Sequence, residues 1–156
     1  MAKKILLETR SEPALYTLLG ISCHLRDYHL TYLLNEKLDL GFAKENDFQG
    51  YPFFFCRDEN CFNAYYLLGN RGQESILLPE MKQTDYLLLI EGPFKKIQKD
   101  KLLKKIRSID NILMTFEIKI EIIKNFETIL NDLEIHFMNI HKVSKTKYSS
   151  TKNQEV

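Results

Sequence analysis

Apolar positions recur along the chain with two different periods, and the changes of period predict its elements. Ala14 to Ser22, ALYTLLGIS, is a short apolar run that follows Pro13 and closes on small residues, the pattern of a first strand. From about His24 the period lengthens. Leu30, Leu33, Leu34 and Leu38 fall at three- and four-residue steps, one stripe of an amphipathic helix that Ser22 or Asp27 can cap and that Gly41 ends. After a polar connection, YPFFFCRDENCFNAYYLLGN predicts a hairpin. With its turn centred on Asp58 and Glu59, Phe55 faces Phe62 and Cys56 faces Cys61. A second turn, NRGQ, leads into ESILLP, which completes a three-strand meander. Tyr86 to Glu91 is the next strand, and its unbroken Leu87-Leu88-Leu89-Ile90 requires cover on both faces.

Gly92 and Pro93 punctuate, and FKKIQKDKLLKKIRSI then carries Ile97, Leu102, Leu103 and Ile106 at helical spacing. Met114 to Ile122 alternates strictly: Met114, Phe116, Ile118, Ile120 and Ile122 on one face, Thr115, Glu117, Lys119 and Glu121 on the other, a strand buried on one side. The strand-helix-strand unit so formed predicts that Tyr86 to Glu91 and Ile112 to Ile120 run parallel with a right-handed connection. A last helix spans about Asn125 to His141, with Phe126, Ile129, Leu130, Leu133, Phe137 and Ile140 on one face. Residues 1–141 read as a single α+β domain of two layers: a mixed, mostly antiparallel sheet in the order β-α-β-β-β-β-α-β-α, with helices mainly on one face. KVSKTKYSSTKNQEV has no periodicity and predicts a disordered basic tail over 142–156. No G-x-G-x-x-G or P-loop follows any strand, which argues against a doubly wound nucleotide fold.

A chain of 156 residues is enough for one core, and its 44% hydrophobic and 28% charged content is that of a globular protein. The net charge of +1 favours no class of partner. MAKKILLETRSEP has too short an apolar stretch for a signal peptide, and no run approaches the ~18 apolar residues of a membrane helix, so a cytoplasmic location without a membrane partner is expected. Three cysteines, Cys23, Cys56 and Cys61, in such a chain suggest reduced thiols.

LLPEMKQTDYLLLIEG, Leu77 to Gly92, concentrates the unusual residues. Pro79 suits the first position of a short helical turn, and Glu80 beside it suits the positive end of that turn. Asp85 stands where turn gives way to strand, able to accept main-chain N–H groups, and Tyr86 enters the strand with its hydroxyl near the rim. All four residues thus have an architectural reading. The chemical reading makes Glu80 and Asp85 paired carboxylates with Tyr86 as a donor, without a histidine or nucleophile nearby in sequence. LLPEMKQTDYLLLI resembles the signature of the IPExxxDY family of small bacterial proteins. Leu78 stands where that signature has isoleucine, and four residues rather than three separate Glu80 from Asp85. The GIS at Gly20 to Ser22, the DY at Asp27 and Tyr28 and the LN at Leu34 and Asn35 are similar to such proteins as well, so the resemblance spans about Leu15 to Glu117. It implies a family and no activity.

Other side chains offer weaker chemistry. Cys56 and Cys61, if directly opposed, are within disulfide reach, but the compartment favours two small apolar side chains. Zinc would need Cys23 and His24 as further ligands, and the C-x4-C spacing is not the usual close pair, so no metal or cofactor is predicted. Lys95, Lys96, Lys99, Lys101, Lys104, Lys105 and Arg107 oppose Asp100 alone, a basic helix that could bind RNA or another polyanion, with Phe53, Phe55, Phe62, Tyr65 and Tyr66 as conceivable stacking platforms. The plainer reading is a solvated helix face and a buried aromatic hairpin. His24 and His29, like His136 and His141, are five apart and share no helix face. The sequence therefore favours a non-catalytic domain that binds another protein or itself. Polyanion binding, and an enzyme built on Glu80, Asp85 and Tyr86, are the alternatives.

Overall fold

The apolar runs form the middle of a six-stranded sheet. In the computed structural model of the chain, residues 16–58 and 62–155 are described, with side chains to residue 141. The chain divides into two compact units, Met1–Ile122 and Ile123–Val156. The first holds β1 (Tyr16–Cys23), α1 (Asp27–Leu38), β2 (Ala43–Phe48), β3 (Tyr51–Asp58), β4 (Asn63–Gly69), a 3₁₀ turn at Pro79–Met81, β5 (Tyr86–Glu91), α2 (Lys96–Arg107), β6 (Ile112–Ile118) and a second 3₁₀ turn at Ile120–Ile122. The second is the helix α3 (Phe126–Glu155), in which the Phe137 and His141 rings touch. The last helix, expected to end near His141 ahead of a disordered tail over 142–156, instead continues to Glu155, with side chains described to residue 141.

The sheet order is β2-β3-β4-β5-β1-β6, and every described pairing is antiparallel. The α+β class holds. β5 and β6 are both antiparallel to β1, which lies between them, so they point the same way as the crossover predicts but share no ladder. Leu19, Ile21, Leu67, Leu88 and Ile90 line one face and pack against Leu30 and Leu34 of α1 and Leu102, Leu103 and Ile106 of α2. Leu87 and Leu89, on the opposite face, are buried too, which explains the unbroken apolar run of β5.

The element order matches the expected string, yet one strand of it is a different segment. ESILLP is not a strand; Ile76 makes only an isolated bridge to Arg71. The N–H groups of Leu77 and Leu78 go to the main-chain and side-chain oxygens of Asn70, so a single amide takes the place of a ladder. The missing strand is β2, AKENDF, within the polar connection. Gln49 and Gly50, with φ 52° and 86°, form a two-residue hairpin turn whose left-handed backbone matches strand twist.

Several boundaries also move. α1 ends at Leu38, not Gly41: Asp39 takes the left-handed conformation (φ 55°) and the Leu40 N–H closes on the Asn35 carbonyl. Neither Ser22 nor Asp27 is the cap; Arg26 holds that position, Ser22 Oγ donates to the Gln83 carbonyl, and Asp27 lies inside the helix. In the hairpin Phe55 opposes Tyr66 and Cys56 opposes Tyr65, four residues away from the expected register, because the strands pair out to Asp58 and Asn63; Cys61 lies outside the described residues. β6 stops at Ile118, and Thr115, expected to face solvent, is buried with its hydroxyl on the Gly20 carbonyl at 2.9 Å. Ile97 is exposed, since α2 turns only Leu102, Leu103 and Ile106 inward.

Candidate functional site

The proline-to-tyrosine segment is held by residues far from it in sequence. β4 ends at Gly69, and Asn70, fully buried, turns its amide into the loop that follows. Asn70 Nδ2 donates to the carbonyls of Met81 (2.9 Å) and Thr84 (2.8 Å), and its Oδ1 accepts from the Leu78 N–H at 2.8 Å. One side chain therefore closes the turn on both sides of Pro79–Met81, with Pro79 at the first helical position as its fixed φ suits.

Asp85 joins that turn to the sheet. Its N–H donates to the Ile21 carbonyl at 3.0 Å and its carbonyl accepts from the Asn70 N–H at 2.9 Å. Oδ2 accepts the Cys23 N–H at 2.9 Å, and Oδ1 meets Arg71 Nε at 3.0 Å. The other arm of Arg71 donates to the Lys82 carbonyl at 2.6 Å, which ties the loop to its own base. Both carboxylate oxygens of Asp85 are thus spent on the junction. The main-chain partner is Cys23 at the end of β1, rather than a group of the turn itself.

Tyr86 follows with its hydroxyl donating to the Leu25 carbonyl at 2.6 Å. Burial, then the nearby Cys23, Asp27 and Asp85, push its ionisation well above the ordinary phenol value. Burial likewise raises the Cys23 thiol, partly offset by the Leu25 N–H, so neither group is an activated nucleophile. Around these residues lies an open hollow of about 420 Å³, lined by Cys23, His24, Asp27, Arg71, Asp85 and Tyr86 among others. Glu80 is not part of its lining; it stands exposed on the 3₁₀ turn. The expected pair of acids is not brought together around that hollow.

The residues that carry the junction, Asn70 and Arg71, were legible only as turn formers in NRGQ. On α1, Asn35 pins Phe42 through both its amide atoms (2.8 and 3.2 Å), and Asp27 Oδ1 accepts the Tyr28 N–H. On the basic helix, Lys99 pairs with Glu117 at 3.1 Å and Arg107 Nη2 donates to the Thr115 carbonyl at 3.0 Å, while Lys95, Lys96, Lys101, Lys104 and Lys105 are exposed. Cys23 and Cys56 are free and buried. Among the described residues no group of three or more His, Cys, Asp and Glu side chains could hold a metal, and no helix is long and apolar enough to cross a membrane. No protein-family model matches the chain, and none of the curated proteins compared with it matches.

Proposed function

We propose that the chain is a cytoplasmic, non-catalytic interaction domain that binds another protein or a second copy of itself. The observation that carries this reading is the use of Asp85: a carboxylate bonded through both oxygens, to Cys23 N–H and to Arg71, is a fastening. Tyr86 and Asn70 are spent in the same way, so the segment that sequence singles out serves the joint between β1, β4 and β5. The similarity of that segment to the IPExxxDY signature belongs to the same proposal, as kinship without an activity. An affinity-tagged chain used as bait should return a specific protein partner, or sediment as an oligomer. A bait that captures nothing specific, from a chain monomeric at every concentration, would sink the reading.

A second reading has its own observation. Lys101, Lys104 and Lys105 project from the outer side of α2, opposite the buried Leu102, Leu103 and Ile106, and form a solvent-facing cationic strip. Binding of single-stranded RNA through this strip would weaken steeply with added salt and disappear in a Lys101→Glu, Lys104→Glu, Lys105→Glu variant. Absence of binding at low salt removes it.

A further inference from the structure

Among the described residues β6 is paired as a strand on one side only, to β1. The direction of its other main-chain groups follows from β1. Asp85 N–H donates to the Ile21 carbonyl, so Ile21 turns its main chain toward β5; Thr115 Oγ1 reaches the Gly20 carbonyl, so Gly20 turns toward β6. Ile21 opposes Thr115 and Gly20 opposes Phe116. Since such pairs alternate along an antiparallel ladder, Met114, Phe116 and Ile118 direct their N–H and C=O groups to β1, and Thr115 and Glu117 direct theirs outward. Of these outward groups the Thr115 carbonyl is already met by Arg107.

We propose that β6 pairs antiparallel with β6 of a second copy of this chain, about a two-fold axis through Phe116, and that Arg107 is the latch on that edge. The inference rests on the interaction-domain reading and names the partner and the surface. Cys23 opposes Ile112 while Ser22 opposes Met114, so Leu113 is an extra, bulged residue and the regular part of β6 is 114–118, with Phe116 at its midpoint. Pairing about that midpoint overlaps the whole regular stretch. Thr115 then faces Glu117 of the second copy, so that outward-turned groups meet and each such pair exchanges both main-chain hydrogen bonds. A slip of one residue would set outward groups against groups already used by β1.

The side chains agree with this symmetry. Met114 faces Ile118 of the second copy and Phe116 faces Phe116, an apolar row from an edge that now leaves Met114 56% exposed. No like charges are opposed within 114–118, since Glu117 meets Thr115. A pattern that complements itself under a two-fold rotation is what an isologous contact between copies requires, and an unrelated strand would have no reason to share it. The Arg107 guanidinium occupies one lone pair of the Thr115 carbonyl and must share or surrender it when the second strand arrives.

Sedimentation velocity of the full chain over a concentration series tests this, with circular-dichroism melting to show that each variant is folded. The chain should show a concentration-dependent monomer–dimer equilibrium. Met114→Lys, which buries a charge in the apolar row, should weaken it by about tenfold or more. Arg107→Ala should tighten the dimer by freeing the edge. If both the chain and Arg107→Ala stay monomeric at all concentrations, or if a dimer forms that ignores these substitutions, β6 self-pairing is wrong. A monomeric chain that still captures a specific protein would overturn this inference and leave the interaction-domain reading intact.

Discussion

The two outer strands of the sheet differ in almost every respect that governs pairing. β2, AKENDF, carries Lys44, Glu45 and Asp47 on five exposed or half-exposed positions, and its register to β3 shifts between Glu45 and Phe48. β6, ILMTFEI, has one acid, an apolar row, and a regular stretch beyond its bulge. Charge and irregularity are the ordinary means by which an edge is kept from recruiting another strand. β2 has both along its length, whereas β6 has its bulge at the entry alone, one acid paired with Lys99, and one arginine on one carbonyl. Closure of the sheet is therefore built into the sequence at one side and left conditional at the other.

The largest expected effect separates the edges by removing β2. Phe48 is its one buried residue, 1% exposed. Phe48→Ala should cost about 3 to 5 kcal/mol, measured by urea denaturation. Hydrogen exchange should speed up at 43–55 and leave 112–118 protected. Comparable exposure of both edges would mean that β2 and β6 are not independently held.

Next in size is the junction. Asp85→Ala leaves the half-buried Cys23 N–H without its partner and should cost about 1 to 3 kcal/mol. Cys23 opposes Ile112, so the loosened amides should be those of 20–23 and 112–116, on the β6 side of the sheet. Asp85→Asn keeps an acceptor and should cost less, while Glu80→Gln on the exposed turn should stay within about 0.5 kcal/mol. A loss of some chemical activity in Asp85→Asn at unchanged stability would reverse the architectural reading.

The same contrast explains how much could be read in advance. Leu87 to Ile90 and the stripes of α1 and α2 are legible because burial imposes apolar periodicity on sequence. β2 was not: an edge strand that repels partners looks like a polar loop, and only the Gln49-Gly50 pair announces its turn. ESILLP failed in the opposite way, since Leu78 is buried, but its N–H goes to the amide of Asn70 rather than to a neighbouring strand. Strict alternation also misplaced Thr115, whose hydroxyl is satisfied by Gly20 and so can sit inside. At the junction, Asp85 was recognisable as a helper of main-chain N–H groups. Its real partners, Cys23 and Arg71, come from other strand ends that local sequence does not connect.

A smaller effect should act on both sides of the sheet at once. Cys23 lies toward β6 and Cys56 toward β2, both buried with thiols raised from an ordinary 9.0, and Tyr66 and Tyr86 are raised from 10.0 by burial first. Each group keeps in the fold a proton that the unfolded chain releases. Their contribution is therefore complete below about pH 9 and is lost as pH climbs through the folded values. Denaturant midpoints should fall from pH 9 to 11, less steeply in Tyr86→Phe, with no preference between the edges.

The smallest expected difference is also the most local. Lys44–Asp47 on β2 and Lys99–Glu117 beside β6 are both ion pairs, but the first is about half exposed at both partners and the second holds Lys99 at 24%. Lys44→Ala should be nearly silent, and Lys99→Ala should cost about 0.5 kcal/mol, because Glu117 is itself 44% exposed and well screened. That cost should fade as salt shortens the Debye length below about 8 Å. Lys99 also compensates the single acid on β6, so its loss leaves Glu117 uncompensated on each of two pairing strands and should weaken association of copies more than it weakens the fold. Sedimentation and melting of Lys99→Ala, compared at low and high salt, should therefore diverge. If the two measurements change in proportion, Glu117 does not lie at an interface.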